Sequence, residues 1–202
     1  MDSFGAIILA AGLSRRMKVH NKLLLSINGK PMIRHVAEIY LAAVDGQVCV
    51  VTGFEADRIE ASLVGLPIKY VYNADYEAGQ PFSVRAGLIN APDAQYYLIG
   101  LGDQPQLTAD DLRELIEAHL AADVQKISIP ERDSTRGNPI VVPNALRPKL
   151  LVDKANPGCR SFTQKNPELV QNIPMSKPCF FNDVDTPAAF EALEILSKRV
   201  MT

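Results

Sequence analysis

The stretch Gly5–Lys22 reads GAIILAAGLSRRMKVHNK and decides the fold class. It begins with a continuous apolar run, Gly5–Ala10, which contains two β-branched isoleucines. A short run that is apolar at every position is typical of a strand buried on both faces of a parallel sheet. Gly12 closes the run, because glycine accepts backbone conformations that other residues avoid. The sequence therefore predicts a buried strand that leads directly into a loop.

The loop after this strand is rich in basic side chains. They are Arg15, Arg16, Lys18, His20 and Lys22. Backbone N–H groups in a loop of small residues can hold an anion, and cationic side chains neutralise phosphate charge. The GxGxxG and GK[ST] phosphate motifs are both absent. The spacing predicts an anion-binding loop at the carboxyl end of a parallel strand, and the alternative is a solvated basic loop.

Outward from this stretch, apolar runs alternate with helical patterns along the chain. The predicted strands after the first are Val48–Val51, Ile68–Tyr72, Tyr96–Leu101, Ile127–Ile129, Ile140–Val142 and Leu169–Ile173. The predicted helices are Pro31–Val44, Ala56–Leu63, Phe82–Ile89, Thr108–Leu120, Asn156–Gln164 and Thr186–Val200. Such βαβα alternation predicts an α/β fold with a mostly parallel sheet and helices on both faces. We expect one domain, residues 1–202, because no linker or internal repeat interrupts the pattern.

Composition excludes several classes of protein. A chain of 202 residues with 47% hydrophobic and 22% charged residues is expected to be globular, and a net charge of −2 gives no global signal for nucleic acid. No apolar run approaches the roughly 20 residues of a membrane helix, and no basic cluster precedes the first one, so we expect no membrane span or signal peptide. Three cysteines without CxxC spacing argue against disulfides and favour the cytoplasm. His35 and His119 lie on predicted helices and are expected to be structural.

Two places in the sequence carry carboxylates that could bind a metal ion: Asp103, and the pair Asp183 and Asp185. Asp103 follows the strand Tyr96–Leu101, where a carboxylate can anchor Mg²⁺ and a triphosphate, although an Asx-turn is the alternative. Asp183 and Asp185 are two apart, so in an extended chain they point the same way, and their alternative role is helix capping before Pro187.

The segment Leu9–Met17, followed by Lys22-Leu23-Leu24, resembles the LAAGxSxRMG signature of nucleotidyltransferases, most closely the molybdenum cofactor cytidylyltransferases. Lys18 departs from it, since that family usually has glycine there. The resemblance implies a three-layer, Rossmann-like fold of the nucleotide-diphospho-sugar transferase type. It also implies transfer of CMP from CTP to molybdenum-loaded molybdopterin with release of pyrophosphate. A molybdoenzyme or its insertion chaperone is then the expected partner.

The resemblance also assigns roles to individual residues. Arg16 and Lys22 would act on the phosphates in catalysis, while Asp103 and Asp185 would hold Mg²⁺ and Asp183 would be a turn or cap residue. The expected nucleotide-binding residues are Leu9, Ala10, Ala11, Gly12, Ser14, Arg15, Gln80, Ser83 and Gly102. Asn138, which replaces a family histidine, and Arg160 would face the acceptor.

Base choice rests on Ala11. Guanylyltransferase relatives read Leu-Ala-Gly-Gly where this chain reads Leu9-Ala10-Ala11-Gly12, and the extra methyl group favours cytosine over a purine. The alternatives are a GTP-dependent guanylyltransferase, a cytidylyltransferase for another phosphate acceptor, and a non-catalytic molybdopterin carrier.

Overall fold

The computed structural model describes residues 2–17, 21–91, 93–153 and 157–200, with the side chains of Arg16 and of residues 194–200 outside the description. The strands are β1 Phe4–Leu9, β2 Ser26–Ile27, β3 Lys30–Pro31, β4 Val48–Thr52, β5 Ile68–Tyr72, β6 Tyr96–Leu101, β7 Ile127–Arg132, β8 Thr135–Arg136, β9 Ile140–Pro143 and β10 Val170–Pro174. The helices are α1 Met32–Ala43, α2 Ala56–Ser62, α3 Gln80–Asn90, α4 Ala109–Leu120, α5 Arg147–Val152, α6 Cys159–Lys165 and α7 Pro187–Val200.

The main sheet is mostly parallel, as the sequence predicts. Its strand order is β10-β7-β9-β6-β1-β4-β5, with β8 paired to β7 outside this path. The pairs made by β1 with β4 and β6, by β4 with β5, and by β7 with β10 are parallel. β9 runs antiparallel to both β6 and β7, and β8 runs antiparallel to β7.

The first strand is buried on both faces because helices cover both sides of the sheet. Phe4, Ala6 and Ile8 pack in one core with α1 and α4, while Ile7 and Leu9 pack in a second core with α3. This two-sided burial is the physical reason for the continuous apolar run. The result is a layer of helices, the sheet, and a second layer of helices.

The ends of the predicted elements agree with the structure to within a few residues. Thr108 caps α4 as expected: its side chain accepts a hydrogen bond from the N–H of Asp111, whose carboxylate accepts one from the N–H of Thr108. The predicted helix at Asn156–Gln164 is α6, which begins at Cys159, and Asn156 lies outside the described residues. Three elements lack a sequence prediction: the β2–β3 hairpin, the short strand β8 and the helix α5.

The strand order places a crevice beside β1. The chain leaves β1 toward β4 on one side, and it leaves β6 toward β7 on the other side. Ligands of open α/β sheets bind outside the carboxyl ends of strands at such a reversal. The loops after β1 and β6 are therefore the first place to look for a site. Among the residues that the structure describes, no helix combines the length and apolar character needed to cross a bilayer.

Candidate functional site

A cavity of about 470 Å³ opens at the carboxyl ends of β1 and β6. Its walls come from the loop after β1, the segment before α3, the turn after β6 and the segment before α7. The lining residues are Leu9, Ala11–Arg15, Lys22, Leu23, Tyr76, Glu77, Gly79, Gln80, Ser83, Leu101, Asp103, Asp183 and Asp185. We call this the first cavity.

The loop after β1 is closed by hydrogen bonds around Ser14. The Ser14 hydroxyl accepts a hydrogen bond from the N–H of Lys22 at 3.2 Å and donates one to Asn21 Oδ1 at 3.4 Å. The left-handed backbone of the loop is at Ser14, whose φ is 49°, and not at Gly12, where the sequence analysis places the conformational freedom. Lys18 and His20 lie outside the described residues. These bonds hold Lys22 at the mouth of the first cavity.

Three carboxylates meet on one side of the first cavity. One oxygen each from Asp103, Asp183 and Asp185 lies within 4.8 Å of the others. The two segments are tied together because the N–H of Val184 donates to the carbonyl of Asp103 at 2.9 Å, and the side chain of Val184 is buried. The turn or cap role expected for Asp183 stays a prediction, and the structure places its carboxylate in this cluster. We call these three residues the acidic cluster.

Lys22 partly neutralises the acidic cluster. Its ammonium donates to Asp185 Oδ1 at 2.6 Å and also to Asp103 Oδ2. Burial by itself lowers the pKa of Lys22, but the charges and hydrogen bonds of the two carboxylates outweigh it, so the pKa is raised. Burial and the charges of Asp185 and Asp103 raise the pKa of Asp183. Among the described residues, the hydrogen bonds of one ammonium therefore join two of the three carboxylates.

The acidic cluster fits a hard divalent cation. Carboxylate oxygens are the ligands that Mg²⁺ and Mn²⁺ take, with phosphate oxygens completing the shell. Asp103 Oδ1 is buried and has no hydrogen-bond partner among the described residues, which leaves it free to coordinate. The charge and the donor set therefore both suit a divalent metal bound together with a triphosphate.

The expected nucleotide-binding residues separate into two groups. Seven of them line the first cavity: Leu9, Ala11, Gly12, Ser14, Arg15, Gln80 and Ser83. Ala10 and Gly102 do not line it, and their N–H groups donate to the carbonyls of Val51 at 2.9 Å and Leu9 at 3.0 Å. A Cβ added at Gly102 would lie 2.9 Å from Ile33, so glycine is needed there for packing. The side chain of Arg16 lies outside the description.

The segment before α3 adds residues that the sequence analysis did not single out. Tyr76, Glu77 and Gly79 line the first cavity, and Gly79 has a φ of 108°, a conformation that favours glycine. Buried Asn73 donates from Nδ2 to the Ser83 hydroxyl at 3.1 Å and so orients it. The glycine before Gln80-Pro81 is a sequence signal for this turn. No sequence motif marks Asn73 as a residue of the site.

A second cavity of about 970 Å³ adjoins the first and shares Leu9, Gln80 and Leu101 with it. Both expected acceptor residues, Asn138 and Arg160, line this second cavity. Its remaining lining residues are Ala78, Pro81, Phe82, Val84, Ile99, Ser134, Arg136, Gly137, Ile140, Pro157–Cys159, Ser161 and Gln164. Two ligands can therefore meet across the shared residues.

Among the residues that the structure describes, the histidines and cysteines are not placed to act as a nucleophile. The ring of His119 is buried, with Nδ1 2.7 Å from the Ser128 hydroxyl, and His35 Nε2 lies 3.2 Å from the carbonyl of Pro105. All three cysteines are free and buried. Burial raises the pKa of the Cys159 thiol to about 12, so at neutral pH it is not the thiolate that nucleophilic attack requires.

Known proteins similar to this chain include both relatives and solved structures. Nicotine blue oxidoreductase of Paenarthrobacter nicotinovorans is 30% identical over 89% of this chain and 91% of its own length. The bifunctional protein GlmU of Caldanaerobacter subterraneus is 34% identical over 60% of this chain, but the match spans only 26% of GlmU.

Among the solved structures that superpose over almost the whole chain are the following three. A nucleotidyl transferase from Methanothermobacter has a TM-score of 0.85 at 23% identity and covers 99% of this chain and 100% of its own. Rv0371c of Mycobacterium tuberculosis in complex with manganese has a TM-score of 0.73 at 22% identity, covering 96% and 98%. Molybdopterin-guanine dinucleotide biosynthesis protein A of Archaeoglobus fulgidus has a TM-score of 0.71 at 16% identity, covering 96% and 99%.

These superpositions show the fold, which is that of the nucleotide-diphospho-sugar transferases, as the sequence resemblance predicts. The family follows from the sequence: the model of the MobA-like NTP transferase domain matches residues 6–170, which include β1, its basic loop and Asp103. This chain belongs to the family of MobA-like NTP transferases.

Proposed function

We propose that this nucleotidyltransferase transfers CMP from CTP to the terminal phosphate of molybdenum-loaded molybdopterin and releases pyrophosphate. In this proposal residues 1–202 act as one domain in the cytoplasm. The observation that carries it is the pair of adjoining cavities. The first combines the basic loop with the acidic cluster, and the second presents Arg160 and Asn138.

The first cavity suits the triphosphate of CTP. Arg15 lines it and is exposed, and Lys22 stands between the loop and the acidic cluster. In this proposal Lys22, Arg15 and Arg16 bind the phosphates, and the loop Ala11–Leu13 supplies the surface against which the nucleotide lies. Charge-assisted contacts of this kind stabilise a phosphoryl group whose negative charge grows as the bond to pyrophosphate breaks.

The acidic cluster would hold Mg²⁺ through Asp103 and Asp185, with Asp183 as a third carboxylate. When bound, such a cation neutralises phosphate charge and orients the triphosphate. The protein contributes position: the hydrogen bond between Val184 and Asp103 holds the carboxylates of two chain segments side by side.

The reaction itself needs no covalent enzyme intermediate. An oxygen of the acceptor phosphate attacks the α-phosphorus of CTP, one new P–O bond forms, and the bond to the β-phosphate oxygen breaks. Pyrophosphate leaves with that electron pair. Because the acceptor phosphate is already ionised at neutral pH, no side chain has to remove a proton from it. Catalysis then consists of positioning and charge neutralisation.

Ala11 supports the choice of cytosine. Its side chain is buried and lines the first cavity. The wall beside it is tight, because a Cβ added at Gly53 would lie 2.9 Å from the Ala11 methyl group and 2.5 Å from Tyr76 Cβ. A pyrimidine needs less room than a purine, so a methyl group in this wall disfavours GTP more than CTP.

Other functions remain as outcomes of the test. The chain is similar both to a protein named for molybdopterin-guanine dinucleotide synthesis and to one named as an oxidoreductase, and these names describe those proteins. A guanylyltransferase would release pyrophosphate from GTP, and a cytidylyltransferase for another acceptor would need a different phosphate ester. A molybdopterin carrier would bind the pterin without releasing pyrophosphate.

The deciding experiment incubates the protein with each of four nucleoside triphosphates and Mg²⁺, with and without molybdenum-loaded molybdopterin, and measures pyrophosphate. We expect release only with CTP and molybdopterin together. The variant Asp103→Ala should keep the fold and lose turnover, which shows that the signal comes from this site. Equal release with GTP would replace the proposal by the guanylyltransferase alternative.

A further inference from the structure

Two arginines line the second cavity from different elements. Arg136 is in the short strand β8, and Arg160 is in the first turn of α6. No carboxylate is among the described residues that line this cavity. Two positive charges therefore face the same space without an acidic partner in its walls.

A buried hydroxyl joins these two elements. Thr163 is only 4% exposed, and its Oγ1 accepts a hydrogen bond from Arg136 Nη2 at 3.0 Å. The same hydroxyl donates to the carbonyl of Arg160 at 3.1 Å. A hydroxyl has one proton to donate, and here that proton goes to the Arg160 carbonyl, so the hydroxyl accepts in its contact with the guanidinium. Thr163 thus ties the guanidinium of Arg136 to the backbone that carries Arg160.

The electrostatics of the pair favour an anion between them. Burial and the nearby charge of Arg160 both lower the pKa of Arg136, and Glu131 opposes this only as a weaker influence. Bringing two guanidinium groups close together costs free energy that an anion bound to both would recover. Arginine also has the planar fork of donors that matches phosphate oxygens.

The other walls of the second cavity combine apolar side chains with neutral polar ones. Phe82, Val84, Ile99 and Ile140 contribute to them. A ligand that suits this cavity has an anionic group at one end and a larger, weakly polar body. A phosphate ester of a flat organic ring system has this character.

We propose that Arg136 and Arg160 together bind the phosphate of the acceptor, and that Thr163 is a positioning residue for Arg136. The proposal rests on the proposed function for the identity of the acceptor, but not for the binding of an anion. Arg136 thereby becomes a specificity-determining residue, because an acceptor without the phosphate leaves two guanidinium charges facing each other.

The first test uses inorganic phosphate as the probe and NMR of the arginine Nε–Hε groups as the readout. We expect the signals of Arg136 and Arg160 to shift together with one shared Kd. Arg132 provides the matched control, because it stacks on Phe181 at 4.7 Å, donates to Ser176 and does not line the second cavity. Different Kd values for Arg136 and Arg160, or an equal response of Arg132, would overturn the proposal.

Two variants test the roles separately, with the Arg160 signal as the readout. Arg136→Gln should weaken phosphate binding roughly 10-fold or more, the size expected for a charge-assisted contact. Thr163→Val, which keeps the shape and removes the hydroxyl, should weaken it roughly 2- to 10-fold. Arg132→Gln should leave it unchanged. An unaltered Kd in Arg136→Gln would remove Arg136 from the site.

The second test separates this proposal from the proposed function. With CTP and molybdenum-loaded molybdopterin, Arg136→Gln should raise the KM for the acceptor and leave the Kd for CTP unchanged. If the wild-type protein does not use molybdopterin, the proposed function fails, while the phosphate titration still decides whether the two arginines form an anion site. A raised Kd for CTP with an unchanged KM for the acceptor would assign Arg136 to the nucleotide instead, and overturn the proposal.

Discussion

Asp183→Asn should make the metal-free protein more stable and the enzyme less active. In the acidic cluster, one oxygen of Asp183 lies within 4.8 Å of oxygens of Asp103 and Asp185. Lys22 pairs with the other two carboxylates. The substitution removes one negative charge from a crowded group and leaves the ion pairs of Lys22 in place. An asparagine at this position can also donate a hydrogen bond to Asp185.

The magnitude follows from these distances. Two unit charges 4.8 Å apart repel by about 0.9 kcal/mol in water and by about 3.5 kcal/mol at an effective dielectric constant of about 20. Although one side of Asp183 is desolvated, the residue is still open to solvent, so the lower value is closer, and Lys22 offsets about one of the two neighbouring charges. We expect a gain of about 1 kcal/mol in the free energy of unfolding, which is a few degrees in Tm for a chain of this size.

The assay is urea unfolding with EDTA and again with excess Mg²⁺, together with pyrophosphate release. Mg²⁺ should raise the free energy of unfolding of the wild-type protein more than that of Asp183→Asn, because a ligand that binds the folded state stabilises it. Turnover should fall roughly 10-fold or more, as when a group that shapes a metal site is lost. Asp93→Asn makes the same charge change on an exposed loop and serves as the control. A variant that is no more stable than the wild type in EDTA, or that keeps full turnover, would refute the reasoning.

Three further predictions concern single side chains. Lys22→Ala should lower kcat/KM for CTP roughly 10- to 150-fold, because one charge-assisted phosphate contact contributes about 1.5–3 kcal/mol. Lys165→Ala should leave it unchanged, because Lys165 pairs with Asp153 and does not line the first cavity. Ala11→Gly should relax the preference for CTP over GTP, measured as the ratio of kcat/KM values, by up to roughly 10–200-fold without reversing it; an unchanged ratio contradicts the role of the methyl group. His119→Gln should reduce the pH dependence of stability. Burial lowers the pKa of His119 below its ordinary 6.5, against the weaker influence of Asp123 and Asp2, so the unfolded chain binds the extra proton and wild-type stability falls as pH drops through 6.5. Urea unfolding at about pH 7 and about pH 5.5 checks this, and equal slopes in both proteins would contradict it.

The fold was largely predictable because its central strands carry strong signals. Gly5–Ala10 is apolar throughout for the reason that the structure shows, which is burial against helices on both faces of the sheet. The β2–β3 hairpin escaped prediction although Asn28-Gly29 is a typical hairpin turn, with both residues at positive φ. Its strands have only two residues each, too short for a periodic pattern.

The candidate site was predictable where one residue sits in a recognisable motif. Asp103, Asp185 and Lys22 belong to such motifs, and the structure brings their side chains into contact. Asp183 and Thr163 are two residues of the described cavities and their surroundings whose contacts the sequence does not predict. Helix capping explains the sequence around Asp183 equally well, and the position of Thr163 gains meaning only when α6 packs beside β8 and its hydroxyl meets Arg136. Contacts between segments 27 residues apart leave no local pattern in the chain.

The two cavities meet at Leu9, Gln80 and Leu101, and otherwise different segments of the chain line each of them. The groups expected to handle the phosphates come from the loops after β1 and β6 and from the segment before α7, whereas the two arginines come from β8 and α6, which flank the buried sheet strand β9 along the chain. Under the proposed function, β8 and α6 can therefore change while β9, which pairs with β6 and β7, and the residues around the first cavity stay the same. If the proposed function holds, exchanging β8 and α6 for those of another MobA-like transferase, with β9 kept, is a direct route to attaching the same nucleotide to a new acceptor.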